Sequence, residues 1–64
     1  MFEIRDTHTG VSAFIETWDD LDVIRSWYAD APAEVHAVID DLIRKARNAE
    51  YFGDEIAYLG LTLS

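Results

Sequence analysis

The chain has 64 residues, half of them hydrophobic, and its thirteen acids against five bases give a net charge of −8. That length makes a single domain, residues 1–64, and the apolar share supplies one small core, which excludes intrinsic disorder. The absence of cysteine excludes a disulfide framework and thiolate chemistry. The acid excess argues against direct binding to nucleic acid or an anionic membrane, because both rest on Lys and Arg meeting phosphates.

MFEIRD at 1–6 alternates Phe2 and Ile4 with Glu3 and Arg5, the period of a half-buried strand. THTG at 7–10 supplies turn residues, and VSAFIE at 11–16 returns with Val11, Ala13 and Ile15 on one face, so the pair predicts a β-hairpin. ETWDDLD follows at 16–22 and changes the period. Thr17 is a good N-cap, and Asp20 three residues later fits the reciprocal position of a capping box. Leu21, Ile24 and Tyr28 then recur at helical spacing, with Trp18 beside the stripe. Pro32 interrupts the pattern and starts a second helix.

In that second helix Val35, Val38, Ile39, Leu42, Ile43, Ala46 and Ala49 share a face. Asp40→Arg44 and Asp41→Lys45 are i,i+4 pairs, and bases late in the helix complement its dipole, so Arg44, Lys45 and Arg47 read as helix stabilisers. Gly53 reads as a C-terminal stop, and EIAYLGLTL at 55–63 as a third strand with Ala57, Leu59, Leu61 and Leu63 on one side. The expected fold is α+β: ββααβ, a three-stranded sheet with two helices packed on one face.

The N-terminus has no basic n-region followed by an apolar h-region, and no apolar run approaches the ~20 residues of a membrane span, so a soluble cytoplasmic protein is expected. Asp20-x-Asp22 fails as a calcium loop, because position 24 is Ile and the glycine and distal Glu are missing. His8 and His36 are too far apart, and too alone, for zinc. Ser12, Ser26 and His36 have no nucleophile-elbow spacing, and no glycine-rich phosphate cradle exists. The expectation is therefore a non-enzyme with no metal and no cofactor.

Charge placement carries the functional reading. Residues 1–43 hold ten acids and two bases, whereas 44–64 hold three of each, so the whole excess lies in the first two-thirds. At about 100° per residue, the stripe of Leu21, Ile24 and Tyr28 puts Asp19, Asp22 and Ser26 on the outward side of the first helix, with Val23 and Trp27 adjacent. Dipole and capping account for Asp19 and Asp20 but leave Glu16, Asp22, Asp30 and Glu34 without a local reason. The expected partner-binding surface is Glu16, Asp19, Asp20, Asp22, Asp30 and Glu34, with Trp27 as an anchor, facing a basic protein. The competing expectation for Trp27 is that it folds onto the second helix and completes a small core.

In its MFEIRD/VSAFIE pair, its ETWDDLDVIRSWY helix, its second helix and its EIAYLGLTL end, the chain resembles small acidic phage-encoded anti-CRISPR proteins. The nearest are those acting on type I surveillance complexes, type I-C included. The resemblance lies in size, charge and element order, with no shared motif. It implies a stoichiometric inhibitor, monomeric rather than homodimeric, working in the host bacterial cytoplasm. Its carboxylates would imitate DNA phosphates on the Lys/Arg sites of a Cascade-like complex. Two alternatives stand beside it: an acidic antitoxin or immunity protein, and a small phage structural or assembly module.

Overall fold

The computed structural model describes residues 1–64. Strand β1 (Phe2–Asp6) and strand β2 (Ser12–Ile15) form the expected hairpin, with Phe2 opposite Ile15 and Ile4 opposite Ala13. Thus the alternation of the sequence becomes a two-faced sheet. Ile4 and Ile15 are completely buried on one face, while Arg5, Ser12 and Phe14 stand exposed on the other.

A 3-10 turn (Trp18–Asp22) runs directly into helix α1 (Val23–Trp27), and together they occupy the place of the expected first helix. Asp20 starts this element by accepting the backbone N–H groups of Glu16 and Thr17 at 2.9 and 3.1 Å. Leu21 and Ile24 face the core with no exposed surface. Tyr28, third in the stripe, reaches across the molecule and donates its hydroxyl hydrogen to the Leu59 carbonyl at 2.9 Å. Helix α2 (Ala33–Arg47) follows Pro32, which sits in extended geometry at the N-cap. Ile39, Leu42, Ile43 and Ala46 are its buried residues.

The C-terminal third departs from the expected order. Residues Gly53–Leu59 form helix α3, and only Leu61–Leu63 form strand β3, so the order is ββαααβ rather than ββααβ. EIAYLGLTL satisfies two periods at once. Ala57, Leu59, Leu61 and Leu63 alternate, but Ile56 and Leu59 also lie one helical turn apart. Asp54 and Glu55 in the first turn and Gly60 in left-handed geometry at the C-cap are helix signals, and they decide the matter. Gly53, expected to end a helix, begins one.

The actual stop after α2 is Ala49, at φ 58°. Ala49 N–H bonds the Ala46 carbonyl and Glu50 N–H bonds the Lys45 carbonyl, the paired bonds of a Schellman motif. Ala49 is therefore exposed beyond the helix and does not extend the buried stripe.

The sheet order is β2-β1-β3, all antiparallel, with the first strand in the centre. All helices cover one face; ten buried apolar residues from every strand and helix meet between the layers. No helix is long and apolar enough to cross a membrane.

Candidate partner-binding surface

The turn-α1 segment and α2 run antiparallel, and charged side chains cross their seam at both ends. Asp19, at the start of the first segment, pairs with Arg47 at the end of α2. Arg25 in α1 pairs with Asp40 in the middle of α2 and reaches Asp22 on its own helix at 3.5 Å. The Asp40 hydrogen bond is the main reason that the Arg25 guanidinium is held still more firmly protonated than usual. These contacts add to one expectation and correct another. Arg47 keeps its place in the last turn of α2 and also ties that helix to a different element. Asp22, which lacked a local reason in the sequence, has one in Arg25.

The remaining bases behave similarly. Arg44 meets Asp41 at 3.3 Å, an i,i+3 pair rather than the expected i,i+4 pair with Asp40, and lies 3.9 Å from Glu50. Lys45 is not paired with Asp41; it reaches Glu55 of α3 at 2.7 Å in a partly buried contact. That hydrogen bond raises the Lys45 pKa and lowers the Glu55 pKa. Arg5 closes on Glu3 at 3.3 Å. All five bases are thus occupied by the chain's own acids.

The seven residues expected at the surface separate into distinct roles. Asp20 is engaged as a cap, and the Glu16 and Thr17 amides that it accepts lower its pKa. Asp19 and Asp22 are exposed but each faces an arginine. Glu16, Asp30 and Glu34 are exposed and face no basic side chain. Trp27 is half-buried and packs against the core, as does Val23. Seam residue Asp40 was missing from the expected set, because a cross-helix pair leaves no mark in sequence spacing.

The carboxylates of Glu16, Asp19, Asp20, Asp22, Asp30, Glu34 and Asp40 oppose only Arg25, Arg47 and the N-terminal ammonium, which acts on Asp20. That set keeps an excess of negative charge after internal pairing. Exposed pairs contribute roughly 0–1 kcal/mol each, so a partner's guanidinium can exchange for an internal one at small cost.

A second feature lies between the loop before α3, α3 itself and β3. Glu50, Tyr51, Phe52, Gly53, Ile56 and Leu63 line an open, mainly apolar pocket of about 210 Å³. Phe52 forms its inner wall and continues into an aromatic row, edge-on to Trp18 at 6.1 Å, with Trp18 in turn 6.0 Å from Phe2. The sequence read Tyr51 and Phe52 only as turn residues. No group of His, Asp and Glu side chains is arranged to hold a metal ion. Comparison with protein-family models, curated proteins and solved structures finds no match to this chain.

Proposed function

We propose that the protein is a stoichiometric inhibitor that works by binding. Its acidic surface occupies Lys/Arg sites on a nucleic-acid-binding protein of a bacterial defence system, a Cascade-like surveillance complex of type I CRISPR–Cas being the intended target. The observation that carries this reading is the closure of all five bases onto internal acids while Glu16, Asp30 and Glu34 stay unpartnered. The surface therefore offers phosphate-like charge, with every Lys and Arg side chain already turned onto an internal acid. Exposed carboxylates on and beside these two segments would accept from Lys and Arg that otherwise meet phosphates. Complementary fields accelerate capture of such a partner and discriminate against acidic ones.

The experiment is competition between this protein and target duplex DNA for a purified type I surveillance complex. Expected is loss of DNA binding near equimolar inhibitor, and recovery of DNA binding when Glu16, Asp30 and Glu34 are together changed to Lys. None of the three closes an ion pair; Glu34 stands in the first turn of α2, so its reversal costs some helix-dipole energy, and circular dichroism of the variant checks that the fold is kept. Inhibition that survives the triple reversal would remove the acidic-surface mechanism. A complex that never binds the protein would remove the target.

A further inference from the structure

Strand β3 is an edge strand. Glu3 and Ser64 exchange both backbone hydrogen bonds, at 2.8 and 2.9 Å, and Thr7 N–H bonds the Gly60 carbonyl at 3.0 Å. Antiparallel pairing alternates, so Thr62 turns its backbone groups toward β1, whereas Leu61 and Leu63 turn theirs to the open side. Leu63 also sits opposite the core-facing Ile4, which puts its side chain on the helix-covered face, where it lines the apolar pocket. An unpaired backbone edge and an apolar pocket thus meet at one residue. Leu63 is 43% and Tyr51 78% exposed.

We propose that this edge and pocket form a docking site for a short extended segment of a cationic partner protein. The segment adds as a fourth strand beside β3 and inserts one apolar side chain between Tyr51, Phe52, Ile56 and Leu63. Strand addition of this kind draws affinity from main-chain hydrogen bonds and specificity from a pocket for alternate side chains. A volume of about 210 Å³ falls below the range of small-molecule sites and suits a single side chain.

Charge selects the occupant. Glu50 lines the pocket and meets only a distant Arg44 at 3.9 Å, and Asp54 beside it faces no cation, whereas Glu55 is closed onto Lys45. Lysine or arginine flanking the apolar anchor would meet this rim. A second copy of the chain is the wrong occupant, for two reasons. It would bring −8 against −8. A three-residue edge with one small pocket also falls well short of the roughly 800 Å² per partner of a stable interface. The site does not depend on the identity of the target proposed above.

The test is an NMR titration of the isotope-labelled full chain with a short acetylated peptide alternating lysine and leucine. Two control peptides are used: one with glutamate replacing lysine, and one N-methylated at the amides that would face β3. Expected are saturable shifts at the amides of Gly53, Ile56 and Leu63, with affinity lowered about tenfold or more by either control and by Leu63→Glu. Tyr51→Ser serves as the second variant, since so exposed a side chain does not hold the fold, and it too should weaken binding. Shifts confined to the acidic residues of α1 and α2 would overturn the proposal. So would binding indifferent to N-methylation, or a dimer of the free chain that broadens the same amides.

Discussion

Ala49 occupies a backbone geometry in which a Cβ costs about 1–2 kcal/mol, and it does so because the Schellman bonds of Glu50 and Ala49 require it. Ala49→Gly should therefore stabilise the protein by about 1 kcal/mol, the greater freedom of glycine in the unfolded chain taking back part of the gain. The midpoint of urea denaturation would move up with an unchanged slope. The Lys45–Glu55 contact makes a prediction in pH. Glu55 has a lowered pKa, so its contribution is present above the usual value of 4.5 and is lost as pH falls through the folded-state pKa. Lys45 has a raised pKa, so its contribution is present below 10.5 and is lost as pH rises through the folded-state pKa. Glu55→Gln should flatten both limbs of a melting-temperature profile against pH while leaving neutral-pH helicity in place. An unchanged profile would show that other groups set them.

At the scale of elements, the junction between α3 and β3 depends on Gly60. Its φ of +70° is left-handed, and a Cβ there would stand 2.7 Å from His8 Nε2. Thr7 Oγ1 also donates to the Gly60 carbonyl at 2.6 Å, so the loop cannot move away without breaking that bond. The exposed His8 ring can swing aside, so Gly60→Ala should destabilise by about 1–2 kcal/mol, the cost of left-handed geometry, visible in the same urea midpoint. Physical signals of different strength explain which elements were legible in the sequence. The hairpin was legible because Phe2, Ile4, Ala13 and Ile15 alternate without a competing period. The second helix was legible because its stripe persists over four turns. Residues 53–63 were not, because a short apolar run with alternation and an i,i+3 pair fits either element, and the cap at Gly60 is one residue. The surface was legible as a list of acids but not as an arrangement. Arg47 to Asp19 and Arg25 to Asp40 are tertiary contacts, invisible until α1 and α2 lie side by side.

The whole molecule measures 27 × 22 × 18 Å and carries a net charge of −8. At 0.01 M salt the screening length is about 30 Å, so every unpaired carboxylate repels every other; at 0.15 M it is about 8 Å, and repulsion survives only between neighbours. Salt also weakens the seven internal ion-pair contacts, and the two effects oppose each other. The pairs are short, mostly exposed and individually worth little, whereas the repulsion is summed over the surface. Repulsion should win. The melting temperature is expected to rise by several degrees as salt is increased from low concentration to about 0.15 M, measured by circular dichroism at pH 7. Replacing Glu16 with Gln and Asp30 with Asn should raise the low-salt melting temperature and reduce its salt dependence, since neither carboxylate has a basic partner or a place in a helix first turn to lose. A melting temperature that falls with salt would mean that the ion pairs outweigh the unpaired acids. The surplus charge would then serve folding and need no partner to explain it. A rise means that summed repulsion outweighs the ion pairs, so the acidic surplus is carried at a cost in stability.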